Sequence, residues 1–145
     1  MDKDSITYTL PDKKVKEIMA EKVLTIEKEA PLEELIKLFK EYHYHGFPVL
    51  HNGKIVGIVT KIDLLKNFSE VGVFSRGGWS KIFSTYVKDI MTLNPRSAKP
   101  DTYTNEALDT MLNNDIKLLP VIEEDRLVGI ISYSDIANHI QIVSR

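Results

Sequence analysis

The sequence predicts an α+β fold built from two copies of a β-α-β-β-α unit, and three observations carry that expectation. The segment Gly57-Ile58-Val59-Thr60-Lys61-Ile62-Asp63 returns seventy-two residues later as Gly129-Ile130-Ile131-Ser132-Tyr133-Ser134-Asp135. Laying residues 15–64 on 87–136 without gaps gives eleven identities in fifty positions, where average composition would give about three. In both copies a β-rich apolar run hands over to a helix-like run at a hydroxyl residue, with an aspartate three positions on. A copy of about fifty residues buries too little apolar surface to be comfortable alone, so the two are expected to pack against each other.

Residues 1–14 read as an N-terminal arm, polar apart from Ile6, Tyr8 and Leu10, whose alternation suits a short edge strand. The first repeat, 15–66, opens on one helical turn, Val15-Lys16-Glu17-Ile18-Met19, echoed by Val87-Lys88-Asp89-Ile90-Met91. Val23-Leu24-Thr25-Ile26 suits a short strand, and Arg96-Ser97-Ala98 is its weaker counterpart. Leu32, Leu35, Ile36 and Phe39 fall at i, i+3, i+4 and i+7 and predict a helix, with Pro31 suited to its first turn. The second copy offers Ala107, Leu108, Met111 and Leu112, with Thr104 as cap and a stop near Asn113-Asn114.

A hairpin follows in each copy. Gly46–Leu50 and Lys54–Val59 meet across Asn52-Gly53, the pair best suited to a type I′ turn because both positions need positive φ. Leu118–Ile122 and Arg126–Ile131 meet across Glu123-Glu124-Asp125. Pro48 and Pro120 donate nothing to a ladder and are expected at strand starts or on an edge. A second helix closes each copy, from Ile62 through Leu65 and from Ser134 through Ile140. Between the copies lies a connector, 67–86, broken by Gly72, Gly77 and Gly78. Its Trp79, Ile82, Phe83 and Tyr86 are spaced as one packing face of a helix. The second repeat spans 87–140.

Composition narrows the function classes. With 43% hydrophobic and 28% charged residues the chain is that of an ordinary globular protein. A formal charge of −2 and a pI near 6.1 give no overall basic field for duplex nucleic acid or an anionic membrane surface. No cysteine is present, which excludes disulfides, thiolate metal sites and a cysteine nucleophile. Met1-Asp2-Lys3-Asp4-Ser5 lacks the basic and apolar regions of a signal peptide, and no apolar run approaches about eighteen residues, so a cytoplasmic protein is expected.

The chemistry of the repeated junction is anion and diol recognition. A helix N-terminus leaves backbone N–H groups without intrahelical partners and favours phosphate. Thr60 and Ser132 stand where a helix cap belongs, and Asp63 and Asp135 are acceptors suited to the two hydroxyls of a ribose. The same spacing is the capping-box pattern, which serves simply to start a helix. One copy alone leaves that reading ahead, and the repetition favours a nucleoside phosphate site.

Taken together, the paired Gly-x-x-[Thr/Ser]-x-x-Asp segments, the hairpins beginning Phe47-Pro48-Val49 and Leu119-Pro120-Val121, and the duplicated β-α-β-β-α order resemble a tandem pair of cystathionine β-synthase (CBS) domains, over about residues 13–140. The resemblance implies a Bateman-type module in which two repeats pack with pseudo-twofold symmetry and leave two clefts for an adenosyl ligand: AMP, ADP, ATP or S-adenosylmethionine. By that resemblance one cleft draws on Thr25, Ala30, Ser132, Ser134 and Asp135, and the other on Thr60, Asp63, Ser97 and Thr102. The first ranks higher, since Ser132-Tyr133-Ser134-Asp135 resembles the Ser-x-Ser-Asp form of nucleotide-sensing kinase γ subunits, whereas Ile62 replaces the middle serine in the other. His45 and Lys117 occupy equivalent positions where family members present basic side chains to phosphate. Solvated strand-edge residues are the alternative there.

The expected function is therefore a stand-alone regulatory module that senses an adenosyl ligand and signals to an effector protein, with a homodimer implied by the family. The competing reading is a ligand-independent dimerisation or docking module. His43 and His45, with His51 nearby, have no carboxylate or third histidine spaced as in familiar motifs, and a closed metal site needs three or four ligands, so no metal is expected. No nucleophile elbow or P-loop is present, and Asp63 and Asp135 are better explained as ribose readers or caps than as an acid–base pair, so no enzyme is expected.

Overall fold

Each repeat forms its own strand, helix and hairpin series, but its opening turn is built into the unit that holds the other repeat. The computed structural model describes residues 6–70 and 85–143, and Trp79, Ile82 and Phe83 of the expected connector face lie outside them. In chain order the described elements are β1 (Thr7–Thr9), a 3-10 turn (Val15–Glu17), β2 (Ile26–Glu27), α1 (Leu32–Glu41), β3 (Gly46–His51), β4 (Lys54–Thr60), α2 (Lys61–Glu70), α3 (Val87–Ile90), β5 (Thr92–Leu93), α4 (Thr104–Asn113), β6 (Leu118–Glu123), β7 (Arg126–Ser132), α5 (Tyr133–Ala137) and β8 (Gln141–Val143). They divide into two compact units, one from Leu24 to Pro95 and the other from the segment up to Val23 with Arg96 onward.

In the contiguous unit the sheet order is β2-β3-β4-β5. β2 runs parallel to β3 through Ile26 and Val49, and β5 runs antiparallel to β4 through Thr92 and Ile58. The discontinuous unit repeats this order around β6 and β7, with single bridges in place of the outer strands: Ala98 parallel to Val121 and Ala20 antiparallel to Ile130. Every one of these pairs is related to its counterpart by the offset of 72 in sequence. Strand character at 23–26 is thus confined to Ile26–Glu27, and at 96–98 to the one bridge at Ala98.

The apolar pattern of α1 is realised, with Leu32 and Leu35 fully buried and Ile36 and Phe39 packed on the same core as Phe47, Val49, Val59 and Val87. Pro31 precedes the helix as its flanking residue rather than occupying its first turn. In α4 the inward stripe is Thr104, Ala107, Leu108 and Met111, while Leu112 is 67% exposed, contrary to the expected face. Thr104 takes the place of Leu32. Its buried hydroxyl is satisfied by accepting from the Lys13 amide at 3.0 Å and donating to Asp12 Oδ1 at 3.1 Å. Thr104 is therefore the first residue of the helix, and the carboxylate serving the helix end, which also accepts from the Asn105 amide at 3.0 Å, comes from Asp12.

Both hairpins close with two-residue turns. Asn52 and Gly53 have φ of 52° and 77°, and Glu124 and Asp125 have 50° and 63°. Glu123 pairs with Arg126 inside the ladder, so the second loop is one residue shorter than its sequence suggests. The prolines are not at strand starts or on an outer strand: Pro48 and Pro120 are the third residues of β3 and β6, strands with neighbours on both sides. Ala98 N–H donates to Pro120 C=O at 3.0 Å and Ile122 N–H donates to Ala98 C=O at 2.9 Å. Alternate residues of β6 thus turn their polar edges toward the short first strand. The missing N–H of Pro120 falls on that side, and β7 loses nothing.

The closing helices differ from expectation in length. α2 continues to Glu70, while α5 ends at Ala137, and residues 141–143 instead form β8, which pairs antiparallel with β1. Tyr8 and Ile142 on this ribbon are exposed.

Candidate ligand site

The two β-to-α junctions are built alike. At the first, Asp63 Oδ2 accepts from the Thr60 amide at 2.9 Å and from the Thr60 hydroxyl at 3.0 Å, while the Asp63 amide donates back to Thr60 Oγ1 at 3.2 Å. At the second, Asp135 Oδ2 accepts from the Ser132 amide at 2.8 Å and the Asp135 amide donates to Ser132 Oγ at 3.1 Å. Each is a reciprocal capping box.

The Asp63 and Asp135 carboxylates differ from the caps at Lys14–Glu17 and Tyr86–Asp89 in burial, since Glu17 and Asp89 are exposed. Among the described residues Asp63 and Asp135 both use Oδ2 alone, which leaves Oδ1 as an acceptor for a ligand hydroxyl. Both aspartates and both hydroxyl residues are half-buried rather than sealed in the core. At the first junction the Thr60 hydroxyl proton is given to Asp63. At the second, among the described residues, the Ser132 hydroxyl only accepts and keeps its proton for a ligand oxygen. Ser134 is exposed in the first turn of α5.

His45 and Lys117 are tied to the same junctions through the backbone. The Lys61 amide donates to the His45 carbonyl at 3.0 Å, and the Tyr133 amide donates to the Lys117 carbonyl at 3.1 Å. Each basic residue therefore shares the first helical N–H of its junction, with His45 half-buried and Lys117 exposed.

The remaining residues flank the first short strands, Thr25 and Ser97 just before them and Ala30 and Thr102 on the loops that follow. Thr25 immediately precedes β2, and Ala30 is buried, its amide donating to the Glu27 carbonyl at 3.0 Å. Ser97 and Thr102 come together: both line an open hollow of about 310 Å³ in the discontinuous unit, along with Lys99, Glu106 and Thr110 above Leu119. That volume is at the lower end of small-molecule sites, about 300–1,000 Å³. Thr102 Oγ1 accepts from the Lys99 amide at 3.0 Å, which fixes the loop and, among the described residues, leaves its hydroxyl proton to donate.

Lys99, Glu106 and Thr110 were not singled out in the sequence. Only Glu106 carried a signal, since it repeats Glu34 at the offset of 72. By unit, Thr25, Ala30, Thr60, Asp63 and His45 belong to the contiguous one, and Ser97, Thr102, Lys117, Ser132, Ser134 and Asp135 to the other. Among the described residues no group of three histidines or carboxylates is arranged to hold a metal ion, and no helix is long and apolar enough to cross a membrane.

This doubled arrangement has known counterparts. The family model for the CBS domain matches residues 15–70 and again 87–142. The chain belongs to the CBS domain family, as two repeats in tandem. It is similar to the CBS domain pair of protein MJ0100, solved in complex with 5′-methylthioadenosine and S-adenosyl-L-methionine, at 25% identity and a TM-score of 0.76 over 88% of this chain and 95% of that one. It has the fold of protein MJ1225 from Methanocaldococcus jannaschii, at 24% identity and a TM-score of 0.80 over 87% of this chain and 47% of that one. It is 33% identical to an inosine-5′-monophosphate dehydrogenase of Korarchaeum cryptofilum over 86% of this chain and 24% of the enzyme. The chain spans less than half the length of the first curated relatives it matches, 42%, 24% and 23%.

Proposed function

We propose that the chain is a regulatory module that binds an adenosine-containing ligand, AMP, ADP, ATP or S-adenosylmethionine, and passes its occupancy to a partner protein. The observation that carries this reading is the doubled hydroxyl–aspartate junction with one carboxylate oxygen of each aspartate left over. The caps made by Glu17 and Asp89 also leave one oxygen over, but on exposed residues; a half-buried acceptor beside a half-buried hydroxyl, present twice, is what a ribose diol can use. The adenosyl ligands of the MJ0100 pair support the ligand class. One set of contacts is Thr25, Ala30, Ser132, Ser134 and Asp135, with Lys117 toward phosphate. The other is Thr60, Asp63, Ser97 and Thr102, with His45. The set with Asp135 is the stronger, because Ser132 keeps a hydroxyl proton to donate and Ser134 adds a second.

Signalling follows from differential affinity. A ligand biases two states of the module only by the difference in how tightly it binds them, typically about 1–3 kcal/mol. The partner is another polypeptide or another domain, and homodimerisation of the module is the arrangement the family leads us to expect.

The test is a thermal-shift series with the four ligands. At about 100 times its Kd a ligand stabilises the folded chain by about 2.7 kcal/mol, a rise of several degrees in Tm. Asp135→Ala is expected to remove most of that rise and Asp63→Ala less. No rise with any of the four at millimolar concentration rejects the reading in favour of a ligand-independent assembly module.

A further inference from the structure

Resting on the adenosyl reading above, we propose that the opening turn of each repeat positions the ligand-contacting loop of the other, with Lys88 and Lys16 as the positioning side chains. In the contiguous unit the Val87 amide donates to the Ala30 carbonyl at 2.9 Å and the Lys88 amide to the Lys28 carbonyl at 2.9 Å. Glu29, between those two carbonyls, receives Lys88 Nζ on both carboxylate oxygens at 3.0 and 2.9 Å. Three consecutive loop residues are thus gripped by two consecutive turn residues.

The other unit repeats the grip with different residues. The Val15 amide donates to the Thr102 carbonyl at 2.8 Å and the Lys16 amide to the Pro100 carbonyl at 2.9 Å. Asp101, between them, receives Lys16 Nζ at 3.0 Å, with Lys14 Nζ at 3.5 Å. In each case the third gripped residue, Ala30 or Thr102, is a proposed ligand contact. The turn and the loop come from opposite repeats, yet the pattern survives the change of Glu29 to Asp101.

These pairs act through orientation more than through stability. The hydrogen bond from Lys88 holds the Glu29 carboxyl below its ordinary range, and that from Lys16 does the same to Asp101. Both pairs are exposed and screened by solvent, so each adds little to the folding free energy. A charge-assisted hydrogen bond to a residue flanked by two fixed carbonyls nevertheless sets which way the loop faces. A small displacement of the loop then costs ligand affinity while leaving the fold intact.

The experiment is calorimetric titration of the full chain with S-adenosylmethionine and with AMP, the sites being assigned by Asp135→Ala and Asp63→Ala. Lys88→Met and Glu29→Lys are expected to weaken the Asp135-dependent site by roughly three- to tenfold, leaving the other unchanged. Lys16→Met should do the converse, and Glu29→Lys with Lys88→Glu together should restore wild-type affinity. Ligand-free Tm should barely move. Where one site alone fills, only the lysine assigned to it should matter.

Unchanged affinities in the single variants, with the wild type binding normally, overturn this proposal and leave the adenosyl reading standing. Equal weakening at both sites with a matching fall in Tm also overturns it, since that is a purely structural role. A wild type that binds neither ligand overturns the adenosyl reading itself, and the proposal with it.

Discussion

Gly57 and Gly129 open the two repeated segments because another part of the unit lies against their backbones. A Cβ on Gly57 would stand 2.7 Å from the Thr92 carbonyl oxygen and 2.8 Å from Met91 Sδ. On Gly129 it would stand 2.5 Å from Met19 Sδ and 3.0 Å from the Ala20 carbonyl oxygen. Neither glycine has positive φ, so the requirement is one of space. The neighbour in each case is the opening turn of the other repeat, which explains why the glycine and the Ile-Met of that turn recur together. Gly57→Ala meets a backbone atom that cannot swing aside, and it is expected to cost about 1–3 kcal/mol as overpacking in a urea titration. Gly129→Ala should cost less, because its nearest obstacle is a flexible methionine side chain. The reverse order would contradict this account of the contact.

At the scale of elements, the two hairpins share a geometry but not a turn sequence. Asn52-Gly53 suits two successive positive φ values, whereas Glu124-Asp125 adopts them at a steric cost of about 1–2 kcal/mol that falls mainly on Glu124, since aspartate tolerates the αL region. Replacing Glu124-Asp125 by Asn-Gly should therefore raise stability by about 1 kcal/mol, and the exchange of Asn52-Gly53 for Glu-Asp should lower it by a similar amount. No change in the denaturation midpoint from either exchange would rule out turn strain. The same contrast shows what was legible. Asn52-Gly53 announced its turn, but Glu123 gave no sign of belonging to the ladder, because that depends on the register of β6 against β7. The stripe of α1 could be read from its four apolar residues. In α4 the equivalent stripe includes Thr104, whose burial requires Asp12 and the Lys13 amide from a distant stretch of chain, and helix periodicity carries no trace of such partners. The hydroxyl–aspartate junctions were legible because capping bonds span only three residues. Lys99 and Thr110 were not, since only the folded loop brings them beside Ser97 and Thr102.

Over the whole molecule, the repeat in the sequence establishes which residues are equivalent and is silent on which copy owns them. Val15 and Val87 occupy matching positions, each fully buried, but Val15 packs with Ala107, Met111, Leu119 and Ile131, and Val87 with Leu32, Leu35, Phe47 and Val59. Both opening turns thus serve the opposite repeat's core. The exchange was invisible to periodicity, since a turn docked on its own repeat and one docked on the other carry the same residues. It has a measurable consequence. Truncating a fully buried valine removes two methyl groups and leaves a cavity, which should cost about 2 kcal/mol. Val15→Ala is therefore expected to speed amide hydrogen exchange first in β6 and β7, more than seventy residues later than the substitution in sequence, and to spare β3 and β4. Val87→Ala should do the opposite. Early loss of protection in β3 and β4 on Val15→Ala would place the first turn on its own repeat, and equal loss in both hairpins would mean that the two units open as one cooperative body.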